Sequence, residues 1–86
     1  MFEVILSPDA TAFYAAAQRP LAKKLAKCFA HLEAGPRAGN NVKRLTGDFV
    51  GYHRYRVGDW RVLYRIDDEA KRVLIDSIAH RGEAYE

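Results

Sequence analysis

The side chains best suited to chemistry are concentrated between Gly51 and Ile66, where four arginines alternate with aromatic and β-branched residues. Alternation of this kind is typical of β-strands, and the Gly58-Asp59 dipeptide in its middle is a strong signal for a tight turn. A two-residue loop would place Arg56 directly opposite Arg61. The sequence therefore predicts a β-hairpin whose register follows from its turn.

The predicted hairpin has two different surfaces, because successive side chains of a strand point to opposite faces. One face is a predicted core, formed by His53, Tyr55, Val57, Trp60, Val62 and Tyr64. The other, which we call the arginine face, carries Tyr52, Arg54, Arg56, Arg61 and Arg65. Opposed like charges destabilise a hairpin unless an anion lies between them. We therefore expect an anion site, with a solvated outer face as the alternative.

Phosphate is the anion that this face fits best. Guanidinium groups bind phosphate oxygens bidentately and can stabilise the extra charge of a transition state. Tyr52 and the arginines could also stack on unpaired bases, and Lys43 and Arg44 could extend the basic surface. Alternation places Asp67 on the arginine face, but at the far end of the hairpin. We therefore expect no hairpin carboxylate to neutralise the cluster.

The C-terminal segment contains the only other groups able to bring acid–base or phosphate chemistry to this face: His80, Arg81 and Tyr85. Strict alternation along the last strand places His80 on the arginine face and Arg81 on the other, unless the strand end twists or bulges. No cluster of metal-ligating residues and no glycine-rich phosphate loop is present, so we expect neither a metal nor another cofactor.

The remaining elements predict an α+β fold. Residues 1–6 form an expected first strand, and Ser7-Pro8-Asp9 is a helix start that leads a helix to about residue 18. A second helix is expected over residues 20–34, then a short strand at 42–45, the hairpin, and a last strand at 72–79. The two helices should pack on one face of a mainly antiparallel sheet, leaving the arginine face open.

Composition sets further bounds. The 86 residues predict a single domain over residues 1–86, and the net charge of +3 is only mildly basic. Cys28 is the only cysteine, which excludes an internal disulfide; its place in an apolar helix stripe predicts a buried thiol. No apolar stretch has membrane-spanning length and no signal peptide is evident, so we expect a cytoplasmic protein without membrane association.

Several motifs together resemble the RelE/ParE toxin superfamily: V-I-L-S-P-D, K-R-L-T-G, Y-R-V-G-D-W-R-V-L-Y-R-I and the ending I-A-H-R-G-E-A-Y. The resemblance covers nearly the whole chain. It implies a small RelE-like fold and the toxin of a type II pair, neutralised by a cognate antitoxin in a hetero-oligomeric complex. RelE-like members cut mRNA in the ribosomal A site, whereas ParE-like members inhibit DNA gyrase without catalysis.

The resemblance also implies residue roles. Arg61 and Arg81 would stabilise the phosphorane formed when a 2′-hydroxyl attacks the adjacent phosphate, and Arg54 and Arg56 would position the RNA backbone. The best-known RelE has lysines at the latter two positions; arginine effectively cannot lose its proton, so the base must lie elsewhere. His80 and Tyr85 remain candidates for proton transfer, and the choice between them stays open.

Overall fold

The computed structural model describes residues 1–83; Ala84, Tyr85 and Glu86 lie outside the described residues. The elements follow in the order β1 (Glu3–Leu6), α1 (Pro8–Ala16), α2 (Arg19–Ala34), β2 (Val42–Arg44), β3 (Tyr52–Val57), β4 (Trp60–Asp67) and β5 (Arg72–His80), with short 3-10 turns at Gly47–Phe49 and Arg81–Glu83. The predicted α+β class and the predicted order of elements are confirmed.

The five strands form one sheet in the order β1-β5-β4-β3-β2. The first strand runs parallel to β5, and the other neighbours are antiparallel. The hairpin register is as predicted, with Arg56 opposite Arg61. Gly58 has a φ of 58°, a left-handed conformation that a tight hairpin turn requires and that glycine adopts without steric cost.

The first helix begins at the predicted signal. The Ser7 side chain accepts a hydrogen bond from the Ala10 N–H at 3.0 Å, which satisfies one of the helix's unpaired amides. Its hydroxyl also donates to the carbonyl oxygen of Asp76 at 2.6 Å. Ser7 therefore both caps α1 and fixes its start to the middle of β5.

The core lies between the helices and one face of the sheet. The helices contribute Ala10, Leu25, Cys28 and Leu32, and the sheet contributes Tyr55, Val57, Val62, Tyr64, Val73, Ile75 and Ile78. Tyr64 is fully buried, and its hydroxyl donates to the carbonyl oxygen of Pro36 at 2.6 Å. The predicted burial of Cys28 is confirmed, and burial raises the pKa of its thiol to about 12. Among the described residues, neither helix is long and apolar enough to span a membrane.

Candidate functional site

The arginine face is the sheet surface opposite the helices. Arg56 pairs with Arg61 and Tyr52 pairs with Arg65 across the hairpin, so the predicted members of the face do share one side of the sheet. Arg56 and Arg65 are exposed, whereas Arg54 and Tyr52 are partly buried. The face therefore combines exposed cations with cations that the protein holds in place.

Arg61 is the member of the face that the protein encloses most. Only 7% of the residue is accessible, and its Nη1 donates to the carbonyl oxygens of Gly58 and Trp60, each at 3.0 Å. The guanidinium is thereby folded over the hairpin turn. These carbonyl dipoles offset part of the repulsion expected between Arg56 and Arg61, so the hairpin tolerates the two cations.

Arg81, in the 3-10 turn that follows β5, meets the same hairpin turn. Its backbone N–H donates to the carbonyl oxygen of Asp59 at 2.8 Å, and its Nε lies 3.8 Å from the Asp59 carboxylate. Both side chains of this ion pair are about two-thirds exposed, so the pair orients Arg81 more than it stabilises the fold. Arg61 and Arg81 thus contact adjacent residues of one turn. Asp59 pairs with Arg81, which is not one of the hairpin arginines, so the expectation about the hairpin cluster stays a prediction.

A β-bulge in β5 decides which C-terminal side chains reach this site. Leu63 pairs with Ser77 but Tyr64 pairs with Ile75, so Asp76 is an extra residue. The extra residue reverses the alternation beyond it. Ser77 and Ala79 therefore lie on the arginine face, whereas Arg81 follows β5 in the 3-10 turn, where it contacts Asp59.

The same bulge sends His80 to the opposite side. His80 pairs with Trp60, and the two rings meet edge to face at 5.3 Å. Trp60 in turn packs against Phe13 of α1, with ring centroids 5.1 Å apart. The prediction that His80 shares the arginine face is therefore wrong, because strict alternation does not allow for the bulge.

The β2–β3 side of the site is divided between the two faces. Lys43 pairs with Arg54 and extends the arginine face as predicted, whereas Arg44 pairs with His53 and lies on the helix side. The predicted basic surface therefore gains Lys43 and not Arg44. The guanidinium carbon of Arg65 lies 5.5 Å from the centre of the Tyr52 ring, so a base that stacks on Tyr52 must share or displace that contact.

The loop before β2 holds two of the arginines, a role that its sequence does not indicate. The carbonyl oxygen of Asn41 accepts from Arg54 Nη1 at 3.2 Å and from the backbone N–H of Arg56 at 2.9 Å. The loop is fastened to α2 by a 2.8 Å hydrogen bond between His31 Nε2 and the carbonyl oxygen of Ala38. His31 therefore helps to position the arginine face.

The three histidines of the chain all lie on the helix side of the sheet. His31 packs edge to face on the core residue Tyr55 at 5.4 Å, and His53 stacks on Tyr64 at 5.6 Å. Burial, together with Arg37 and Arg44, lowers the pKa of His53. Within residues 1–83 the arginine face thus has no side chain that ordinarily titrates near neutrality. Tyr85, the other proton-transfer candidate, lies outside the described residues.

The described residues contain no group of three or more His, Cys, Asp or Glu side chains that could hold a metal ion. What the arginine face offers chemically is a set of fixed positive charges around the Gly58-Asp59 turn. Such charges bind phosphate and stabilise a phosphate that gains negative charge.

Comparison with known proteins agrees in sequence and in fold. The family model of the ParE toxin of the type II toxin–antitoxin system parDE matches residues 4–85. The toxin RelE of Mycobacterium tuberculosis is 40% identical over 68 residues, which cover 76% of this chain and 70% of that protein.

Solved structures give the same architecture. A chain of the toxin–antitoxin complex RelBE2 from Mycobacterium tuberculosis has a TM-score of 0.79 and 26% identity, covering 93% of this chain and 98% of its own. A chain of the archaeal RelE–RelB complex from Pyrococcus horikoshii OT3 has a TM-score of 0.82 and 23% identity, with coverage of 96% and 98%. The RelE-like fold expected from the motifs is confirmed.

Proposed function

The chain belongs to the RelE/ParE superfamily of type II toxins, and on that premise we propose that it is a ribosome-dependent endoribonuclease that inhibits translation by cutting mRNA in the A site. It acts in the cytoplasm, and a cognate antitoxin neutralises it in a hetero-oligomeric complex. The toxin–antitoxin complexes among the structural relatives support that partner.

One observation carries the proposal: Arg61 and Arg81 converge on the Gly58-Asp59 turn, with exposed Arg56 opposite Arg61. A pentacoordinate phosphorane carries more negative charge than the phosphodiester from which it forms. Cations that are fixed before the reaction stabilise that added charge without reorganising, and stabilisation of this kind supplies much of the rate enhancement of many enzymes. We assign this role to Arg61 and Arg81.

The other cations would hold the substrate. Arg56 and Lys43 are exposed on the same face, and Arg54 is fixed through Asn41. Charge-assisted contacts from these three side chains would position the RNA backbone, and Tyr52 together with Arg65 would offer a stacking surface.

The reaction needs no metal, because the RNA supplies its own nucleophile. A base removes the proton of the 2′-hydroxyl, whose oxygen forms a bond to the adjacent phosphorus. The bond from phosphorus to the 5′-oxygen then breaks, and that oxygen takes up a proton. The products are a 2′,3′-cyclic phosphate and a 5′-hydroxyl. Since the bulge removes His80 from this face, we favour Tyr85 for proton transfer.

A gyrase inhibitor of the ParE type is the second candidate. The matching family model bears that description, and the described part of the arginine face has no group that ordinarily titrates near neutral pH. In this case the arginine face would bind its target without reacting.

Purified ribosomes programmed with a defined mRNA test the proposal. We expect cleavage at A-site codons, with 5′-hydroxyl ends that polynucleotide kinase labels directly, and no cleavage where the codon carries 2′-O-methyl groups. Arg61→Ala, Arg81→Ala and Tyr85→Phe should each abolish most of the activity. Arg72→Ala, at the far end of the sheet, is the matched control and should retain it. Uncut mRNA, or 5′-phosphate ends, would refute the proposed reaction.

A further inference from the structure

The second helix carries the whole excess of positive charge. Four basic residues, Arg19, Lys23, Lys24 and Lys27, and one acidic residue, Glu33, give α2 a net charge of +3, which equals the net charge of the complete chain. The other residues balance one another, including the arginines of the hairpin. The four cations of α2, which we call the α2 stripe, are all exposed.

Helical geometry places the α2 stripe on the outer surface. Arg19, Lys23 and Lys27 follow one another at intervals of four residues, and Lys24 lies three residues before Lys27. The buried residues of α2, Leu25, Cys28 and Leu32, lie away from most of the stripe, and Lys24 is at its edge, four residues before Cys28. Glu33 is not three or four residues from any of the four cations. Within residues 1–83 none of the four makes an ion pair with a carboxylate.

This arrangement destabilises the isolated protein. Like charges spaced by three or four residues repel each other along a helix. Cations near a helix N-terminus also oppose the helix dipole, and Arg19 is the first residue of α2, whose first turn has no acidic residue. A solvated surface helix ordinarily mixes the two signs of charge. The stripe therefore has the charge pattern of a surface whose stability improves when a polyanion binds.

The surroundings of the stripe favour a phosphate backbone over a protein as that polyanion. The exposed residues beside the cations include the alanines Ala26 and Ala30, and none of the large exposed hydrophobic side chains of the described chain lies on α2. Protein partners usually anchor on aromatic or large aliphatic side chains, and the surface cavity beside the stripe is lined by Lys23, Lys24, Ala26 and Lys27, none of which is of that kind. Exposed lysine and arginine side chains are sufficient to bind a phosphate backbone.

The stripe also adjoins the candidate active site. Lys24 and Pro20 line one surface cavity together with Gly58 and Asp59 of the hairpin turn. Asp59 holds Arg81, and Gly58 accepts from Arg61. A nucleic acid bound to the arginine face can therefore extend along α2, or a neighbouring strand can contact α2.

We propose that the α2 stripe is a second RNA-binding surface, separate from the catalytic face, that binds the phosphate backbone of ribosomal RNA and thereby docks the toxin beside its mRNA substrate. This proposal rests on the proposed function. In this proposal α2 provides RNA affinity that depends on salt concentration, and the arginine face carries out the chemical step.

Fluorescence anisotropy with a fluorescein-labelled RNA hairpin tests the binding directly, without translation or cleavage. The double variant Lys23→Gln/Lys27→Gln removes two charges and retains good helix formers. Between about 50 and 200 mM KCl we expect weaker binding and a slope of log affinity against log salt that is shallower by about 1.4–1.8, at about 0.7–0.9 per phosphate contact. The variant should also melt at a higher temperature than the wild type, because it relieves repulsion.

The matched control is Lys71→Gln/Arg72→Gln, which removes one charge from the turn after β4 and one from the first residue of β5. It should retain the wild-type salt slope. If the two double variants lose RNA affinity equally, the effect is one of net charge and the stripe is not a site. Unchanged affinity and slope in the stripe variant would also overturn the proposal, as would a loss confined to antitoxin binding, which would identify an acidic protein as the partner.

Ribosome-dependent cleavage distinguishes failure of this inference from failure of the proposed function. With programmed ribosomes, the stripe variant should raise KM and leave kcat unchanged, whereas Arg61→Ala should lower kcat. If the wild type cuts no mRNA, the proposed function fails, and the anisotropy result still decides whether α2 binds RNA. A lowered kcat with unchanged KM in the stripe variant would contradict a docking role.

Discussion

Replacing His80 with phenylalanine separates a structural histidine from a catalytic one. His80 lies against Trp60 on the helix side of the sheet, and its Nδ1 is 3.4 Å from the Gly82 N–H. Phenylalanine keeps an aromatic ring against Trp60 and loses only this long hydrogen bond. It also removes every possibility of proton transfer at position 80.

A structural His80 and a catalytic His80 predict very different losses of cleavage rate on substitution. An edge-to-face aromatic pair contributes about 0.5–1.5 kcal/mol, and phenylalanine retains most of it. We therefore expect a loss of stability below about 1 kcal/mol, or a fall in Tm of less than about 4–8 °C for a domain of this size. Loss of a general acid or base costs about 10²–10⁴ in rate. We expect His80→Phe to cut within about threefold of wild type, a barrier change of less than about 1 kcal/mol.

Single-turnover cleavage on programmed ribosomes, measured across pH, provides the assay. A general base makes the rate rise with pH as it loses its proton. This rise should be unchanged in His80→Phe and lost in Tyr85→Phe. A rate at least about 100-fold below wild type in His80→Phe, with an unchanged Tm, would refute the reasoning. It would mean that the C-terminal segment rearranges on the ribosome and turns His80 toward the RNA.

Three further predictions concern the support of the site. His31→Phe keeps the ring packed on Tyr55 but loses the hydrogen bond to Ala38. We expect cleavage to slow by up to about tenfold, which corresponds to the free energy of one hydrogen bond. His31→Gln retains a donor and should keep most of the rate. His53 has a lowered pKa when folded, so below pH of about 6.5 the unfolded chain binds a proton that the native chain does not; thermal melts should show stability falling as pH drops through this range, and less so in His53→Phe. Tyr64→Phe leaves the buried Pro36 carbonyl without its donor and should cost about 1–3 kcal/mol in urea unfolding; an unchanged midpoint would show that water replaces the hydroxyl.

The hairpin shows how far sequence alone can determine structure. A two-residue Gly58-Asp59 loop allows one register, and the alternation of apolar and charged residues fixes which side faces the core. The pairing of Arg56 with Arg61 therefore follows from the sequence itself. The helix start at Ser7 is equally local, since a cap involves only neighbouring residues.

The last strand shows where local rules fail. Val73 and Ile75 alternate toward the core, but the next core residue is Ile78, three positions later. That break in the apolar spacing marks the bulge at Asp76, which a regular strand would not contain. A shift of one residue exchanges every later side chain of the strand between the faces, so His80 lies on the helix side and not on the arginine face.

The contacts of the site depend on the tertiary structure. The burial of Arg61 and the Asp59–Arg81 pair form only when β5 lies beside β4. The packing of His31 on Tyr55 requires α2 to lie over β3. No spacing rule relates residues that lie so far apart in the chain, so sequence identifies the arginines and the structure shows how they are held.

Mapping of mRNA 5′ ends in cells that express the chain, with gyrase-linked DNA breaks measured in the same cultures, tests the central claim most directly. We predict new mRNA ends within translated frames, absent in Arg61→Ala and present in Arg72→Ala, and no gyrase-linked breaks. Intact mRNA together with DNA breaks would contradict the account, and the arginine face would then be a surface that docks on gyrase.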